Sequence, residues 1–437
     1  MSAAARRRRY VLVVPDGAAD LLRTPAGSPL EAARTPYMDF LAHEGVSGLM
    51  RTLYPELPRE SLVAQMGMLG WDPREHYPGG RASCELLALE GVHLEDGDLA
   101  FRANLARVEG RTLASYNADF IHTHEAVPLV ERVNRALGDE FPEFELRHAS
   151  DFRSALVLRG VGVRPDQLVC AEPHECHGVQ FPPGSAVRGR DAAGEAVAAR
   201  MGRYMERVRE VLAGQRANAV FPWSPSTALR LPSFRERSGF TGRAAVVGAM
   251  DFLCGLARAG GMEFHSVGNG RPDTDYAAKG RKTVELLAAG CEVVVCHVNA
   301  PDEAAHMQDP ELKVRCIERT DAEVVGPVVE FFRARPQELG GVMVIPDHYT
   351  NCSPDAGPVA RSSVHSLHPV PFALWNGRDR DAVSRFGEDA AAEGLLAGAG
   401  LTHLDLLALL RAGVEEPARV TVGLPRVAGR VAHTDCR

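Results

Sequence analysis

Carboxylates and imidazoles recur in this sequence at the points where short apolar runs stop. Arg9-Tyr-Val-Leu-Val-Val-Pro leads to Asp16, Cys291-Glu-Val-Val-Val-Cys-His-Val leads to Asp302 and His306, and Gly341-Val-Met-Val-Ile-Pro leads to Asp347 and His348. Asp302 and His306 are four apart, which puts an acid and an imidazole on one face of a helical turn. His365 stands just before a further apolar run, Phe372-Ala-Leu-Trp375. Mixed carboxylate and imidazole donors suit zinc or manganese, and magnesium less well. Ser61, in Glu60-Ser-Leu-Val-Ala-Gln-Met-Gly-Met, supplies a hydroxyl at a strand-to-helix turn. A serine there also serves as a plain helix N-cap. Beside a cation its alkoxide is stabilised and it becomes a nucleophile. Asp16, Ser61, Asp302, His306, Asp347, His348 and His365 together are enough ligands for two ions about 4 Å apart, the arrangement that clamps attacking and leaving oxygens in phosphoryl transfer.

The elements that must position these groups follow from the same runs. Short β-branched runs bounded by turn residues read as buried parallel strands, and open α/β sheets bind ligands beyond the carboxyl ends of such strands. Thr35-Pro36 opens a helix with proline at its start, and Ser47-Gly-Leu-Met-Arg-Thr-Leu reads as a strand. From Phe101 to about Ala217 the character changes to a mixed segment. It holds an amphipathic stretch near Val127 to Leu137, a strand-like Ser154-Ala-Leu-Val-Leu and a helical Ala192 to Leu212. From Val220 the strand–helix alternation resumes and runs to about Leu410, leaving a short β-like tail after Glu416. The expected organisation is an α/β sheet domain over 1–104 and 218–437, interrupted by a smaller inserted domain over 105–217. No glycine-rich phosphate loop follows the first strand; Asp16 stands where such a loop needs bare amides.

The 437 residues carry a formal net charge of −8, with 45% hydrophobic and 24% charged residues, an ordinary globular composition with no broad basic face for nucleic acid. The Arg6 to Arg9 cluster reads as a solvated arm. No apolar run reaches the roughly 20 residues of a membrane span. The nine cysteines are unpaired in spacing, as expected of reduced thiols in a cytoplasmic protein. Cys170, His174, Cys176 and His177 invite a zinc reading, yet their spacing fits no common zinc pattern. Lysine occurs only at 279, 282 and 313, the other basic residues being arginine.

An ordered series of motifs resembles the archaeal-type, cofactor-independent phosphoglycerate mutases of the alkaline phosphatase superfamily. The series comprises Val14-Pro-Asp-Gly17, Thr35-Pro-Tyr-Met-Asp39, Met68-Leu-Gly-Trp-Asp-Pro73, Glu95-Asp-Gly-Asp-Leu-Ala-Phe-Arg102 with Asn104, Pro222-Trp223, Leu231-Pro-Ser-Phe234, Asp273-Thr-Asp-Tyr-Ala-Ala-Lys279, His297-Val-Asn-Ala-Pro-Asp-Glu-Ala-Ala-His306, Pro346-Asp-His348 and Pro369-Val-Pro371. The resemblance implies an alkaline-phosphatase-like doubly wound α/β sheet with an inserted smaller α+β lid domain. It implies two divalent metal ions, of the zinc or manganese type with magnesium as a further option. Asp302, His306 and His365 would hold one ion, and Asp16, Ser61, Asp347 and His348 the other. Ser61 would take up a phosphoryl group as phosphoserine and return it to the other hydroxyl of the glycerate. Arg81, Arg102 and Lys279 are candidates for the oxygens of a small phosphorylated carboxylic acid, and Arg153 and His174 match loosely as basic groups of the lid. Each of these basic residues could equally sit in a structural ion pair.

The substrate end departs from the family pattern. Leu62 and Gln65 stand where the family has an acid and then Asn or His, Ser224-Pro225-Ser226 replaces Gly-x-Gly, and His368 replaces an acid. Gly80-Arg-Ala-Ser-Cys-Glu85 stands for Gly-Arg-Ala-Pro-Leu-Glu, and Asn351 to Ser363 looks lengthened. A missing acid–base group typically slows a reaction about 10²–10⁴-fold. Four readings therefore stand: a divergent mutase, a transferase of phosphoryl or phosphonyl groups on another small acid, a phosphatase, and a metal-binding scaffold. Oligomeric state is not written in any sequence pattern here.

Overall fold

The computed structural model describes residues 8–89, 92–173, 176, 178, 186–352 and 365–414. Its main sheet has seven strands in the order β11-β10-β12-β1-β13-β16-β2, with β1 Arg9–Pro15, β2 Val46–Met50, β10 Ala244–Gly248, β11 Glu263–Ser266, β12 Val293–Val298, β13 Leu339–Val344 and β16 Val370–Trp375. From β11 to β13 the neighbours run parallel. β16 runs antiparallel to both β13 and β2, so the sheet is mixed, while the three strands that end in acids run parallel to one another as expected. A short apolar run carries no mark of its direction; the loop that delivers it decides that.

Both faces of the sheet are covered, which is why its strands are unbroken apolar runs. Tyr10, Leu12 and Val14 of β1 enter one core with Trp71, Phe252 and Leu410. Val11 and Val13 enter the opposite core with Tyr276, Ile317 and Phe332. Alternation along one strand thus anchors β1 in two cores at once. The three strands that end in acids are neighbours, in the order β12-β1-β13, so their carboxyl ends deliver Asp302, Asp16 and Asp347 to one edge.

A second sheet is built from β3 Leu99–Glu109, β4 Thr112–Ser115, β5 Phe144–Ser150, β6 Arg153–Leu158 and β9 Ala219–Ser226. It packs with the helices Thr123–Leu137 and Ala192–Val211 around a core of its own. Two ribbons complete the strands: β7 Leu168–Cys170 with β8 Val187–Gly189, and β14 Tyr349–Thr350 with β15 His365–Ser366. The run from Ala219, expected to rejoin the large sheet, instead pairs with β3 along most of its length. The second sheet thus spans Leu99 to Ser226, wider than 105–217. Its closing strand satisfies the β rule on either sheet, and only partner choice separates the two. The tail after Glu416 and most of the segment from Asn351 to Ser363 lie outside the described residues.

Candidate metal centre

Ser61 is the first residue of the helix Ser61–Met68 and is buried. Its Oγ lies 3.1 Å from His348 Nε2. One turn on, Gln65 shares its face, and the Gln65 amide donates to Asp347 Oδ2 at 3.2 Å. Leu62 points elsewhere, into the main core beside Trp71 and Met66. The residue after the serine therefore brings no group to the site.

Two clusters form at this edge. Asp302, at the start of the helix Ala300–His306, has Oδ2 at 3.3 Å from His306 Nε2 and Oδ1 at 3.3 Å from His365 Nε2. His365 Nδ1 lies 2.8 Å from the Arg59 carbonyl, which orients the ring and leaves Nε2 facing the acid. In the second cluster His348 Nε2 is 3.5 Å from Asp16 Oδ1 and 3.5 Å from Asp347 Oδ2. Asp302, His348 and His365 form one set of potential ligands within 4.8 Å of one another, and Asp16, Asp347 and His348 form another. The rings of His348 and His365 stack at 4.0 Å, so the clusters touch.

The electrostatics of this edge call for positive charge. Asp16 and Asp347 are fully buried and Asp302 nearly so. Burial, then the neighbouring Asp347 and Asp302 carboxylates, push Asp16 well above the usual carboxylate range. Neither Asp16 oxygen has a hydrogen-bond partner among the described residues. Burial would also raise Asp302, but His306 and His365 outweigh it and hold it well down. In Asp347 burial is likewise outweighed, by His348 above all. Burial pushes His348 and His297 down to about 4, so both rings are neutral and have lone pairs to offer. Crowded buried carboxylates without enough counter-charge are costly unless they coordinate a cation. The donor set fits one.

Two residues of this neighbourhood were not singled out as site residues from sequence. His297, near the end of β12, lies 3.2 Å from Asp16 Oδ2; it was hidden inside an apolar run. Thr350 donates its hydroxyl to Asp302 Oδ1 at 2.7 Å and meets His348 Nδ1 at 3.0 Å. Its signal was available, since residues two apart in extended chain share a face.

The basic candidates divide. Arg81 pairs with Glu60, the residue before Ser61, at 2.7 Å. Arg102 pairs with Glu85 at 2.9 Å and lies over the Trp223 ring at 4.1 Å. Burial lowers Arg102, and repulsion from Arg81 and Arg153 adds to it against the pull of Glu85. Arg102 thus lies within electrostatic reach of both Arg81 and Arg153. Arg153, exposed on β6, lies over Phe152. Lys279 is not among them: its buried ammonium donates to the His297 carbonyl at 3.2 Å. His174 lies outside the described residues. Among the departures, Ser224 takes the left-handed conformation at φ 50° and its hydroxyl accepts the Arg81 N–H at 3.3 Å. Ser226 accepts the Ser83 N–H at 2.7 Å, and exposed His368 contacts Ser366. No helix among the described residues is long and apolar enough to cross a membrane.

A family model described as 2,3-bisphosphoglycerate-independent phosphoglycerate mutase matches residues 42–218. A Methanothrix thermoacetophila protein named 2,3-bisphosphoglycerate-independent phosphoglycerate mutase is 34% identical, with 93% of this chain and 100% of that one covered. The structure of a Pyrococcus horikoshii protein matches with a TM-score of 0.69 at 26% identity, over 92% of this chain and 96% of that one. The Thermoplasma acidophilum cofactor-independent phosphoglycerate mutase matches with a TM-score of 0.58 at 25% identity, over 92% and 98%.

Proposed function

Since this chain belongs to the 2,3-bisphosphoglycerate-independent phosphoglycerate mutase family of enzymes, we propose that it shifts a phosphoryl group between the hydroxyls of a phosphoglycerate by way of Ser61. The observation that carries this reading is the Ser61 hydroxyl at 3.1 Å from His348 Nε2, at the rim of two touching carboxylate–imidazole clusters. Asp302, His306 and His365 would hold one divalent ion, and Asp16, Asp347, His348 and Ser61 the other. Bound there, the ions would act as Lewis acids that favour the serine alkoxide and offset charge on the phosphoryl oxygens.

The chain's own groups account for the rest. Ser61 opens a helix, so the positive end of the helix dipole favours negative charge at its Oγ. Arg81, Arg102 and Arg153 offer planar forks to the carboxylate and phosphate of the substrate. Glu60 and Glu85 hold two of those forks in place, which limits the entropy lost on binding. The segment 105–217, read as a lid, would keep water from the phosphoserine, because hydrolysis there would make the enzyme a phosphatase. The glycerate then turns within the enclosure and takes the group back on its other hydroxyl.

One observation favours a second reading, a transferase acting on another small phosphorylated or phosphonylated acid. Leu62 faces the core, so the residue after the serine offers no carboxylate for proton traffic. The test is a coupled assay for 2-phosphoglycerate formed from 3-phosphoglycerate, with manganese or zinc supplied, alongside Ser61→Ala. Turnover that vanishes in the variant, with phosphate recovered on Ser61 by mass spectrometry, upholds the mutase. No turnover with phosphoserine formed from another donor favours the second reading, and free phosphate without isomerised product marks a phosphatase.

A further inference from the structure

We propose that Thr350 is a positioning residue that ties the two ion clusters into one unit and sets the tautomer of His348, a role that rests on the metal reading above. A threonine hydroxyl has one hydrogen to give, and Thr350 gives it to Asp302 Oδ1 at 2.7 Å. Toward His348 Nδ1, 3.0 Å away, the same oxygen must accept. The His348 proton therefore sits on Nδ1, and Nε2 presents its lone pair to Ser61, Asp16 and Asp347. Without Thr350, the carboxylates that face Nε2 would draw the proton there instead.

Thr350 is itself held from several directions. Its N–H donates to the Ala19 carbonyl at 3.1 Å. Its carbonyl accepts the Lys313 ammonium at 2.7 Å. Lys313 is fully buried and also meets Asp20 Oδ2 at 2.8 Å and the Ala19 carbonyl at 3.2 Å. In the β14–β15 ribbon Thr350 is the direct partner of His365. One residue thus bears on Asp302 and His365 in the first cluster and on His348 in the second. Groups that orient metal ligands in this way typically change ion affinity 10–100-fold when removed.

The experiment compares the wild type with Thr350→Val, which keeps the shape and loses the hydroxyl, and Thr350→Ser, which keeps it. Chelator-stripped proteins are titrated calorimetrically with zinc. In parallel, ¹⁵N-histidine NMR of the metal-free proteins reads the His348 tautomer, its signals assigned by their absence in His348→Gln. The expected result is an Nδ1–H form in the wild type and Ser variant, with zinc affinities within about threefold. The Val variant should lose that preference and bind zinc 10–100-fold more weakly. A Val variant that retains the Nδ1–H form, or binds zinc within threefold of wild type, overturns the proposal. A wild-type His348 protonated at Nε2 overturns it too, whether or not the Val variant folds. If the wild type takes up no zinc, the metal reading fails, while the tautomer result still decides the role of Thr350.

Discussion

Gly17 offers the sharpest stress on the site, because one methyl group there has nowhere to go. The residue follows Asp16 at φ 60°, and a Cβ built on it would lie 2.3 Å from Thr350 Oγ1 and 2.8 Å from Asp302 Oδ1. Gly17→Ala therefore combines two penalties. The left-handed backbone costs an L-residue about 1–2 kcal/mol, and overpacking a tight site costs roughly 1–3 kcal/mol more. Neither neighbour yields cheaply, since Thr350 is held by Lys313 and Asp302 by two histidines. The sum is about 2–5 kcal/mol. Unfolding entropy near 2.1 cal/mol/K per residue makes each kcal/mol worth roughly 1 °C in a chain of this length. The metal-free variant should then melt roughly 2–5 °C lower, and displacement of Asp302 should weaken zinc binding at least tenfold. Differential scanning calorimetry in chelator and zinc titration read the two effects separately. An alanine variant with unchanged melting and affinity would show that the turn has slack, and the packing argument for the whole edge would fall.

Two further outcomes are expected. His403 is buried beneath the serine helix, with Nδ1 at 3.2 Å from the Ala64 carbonyl, and burial pushes it down to about 4 from 6.5. Its folded value lies below its unfolded one, so its contribution is present above pH 6.5 and is lost as pH falls toward 4, about 3 kcal/mol in all. In His403→Gln, chemical denaturation between pH 6.5 and 4.5 should show a slope shallower by up to about 1.4 kcal/mol per pH unit; parallel curves would refute the assignment. Arg102→Lys gives up the fork that meets Glu85 and the stacking on Trp223. Steady-state kinetics with 3-phosphoglycerate should show KM rising about tenfold, roughly 1.4 kcal/mol, with a smaller change in kcat. A change confined to kcat would count against a binding role.

The metal edge was the most legible part of the molecule, for a physical reason. Asp16, Asp302 and Asp347 each follow a buried strand, and the pattern is visible in sequence because the core demands an apolar run that a carboxylate ends abruptly. The Asp302–His306 spacing was equally plain, being fixed by the helical repeat. Partnerships across space were not legible. Nothing in Ala219 to Ser226 names β3 as its neighbour, and nothing in Phe372-Ala-Leu-Trp375 declares an antiparallel strand. Lys279 reads as a candidate for substrate oxygens or a structural ion pair, because a lysine beside a motif gives no sign that the His297 carbonyl claims it. Thr350 carries no mark of its role in sequence, since a threonine two residues past a histidine is commonplace until the chain is known to be extended there. Arg81 and Arg102 were candidates for substrate oxygens, and their glutamate tethers, Glu60 and Glu85, appear only in three dimensions.

The position of β1 also bears on how the molecule is made. It is the first strand of the chain, yet its neighbours β12 and β13 are translated only after Glu292 and Glu338. At synthesis rates of about 5–20 residues per second, Tyr10 to Val14 waits on the order of tens of seconds for the partners it will lie between. An unpaired β-branched ribbon is a hazard to other nascent chains. Arg9 itself opens the strand and pairs with Glu338, contrary to the solvated arm expected of it, while Arg6, Arg7 and Arg8 precede it in sequence; flanking charge of that kind discourages premature pairing. On this view the basic arm serves the polypeptide during its manufacture, before the sheet has closed around its first strand.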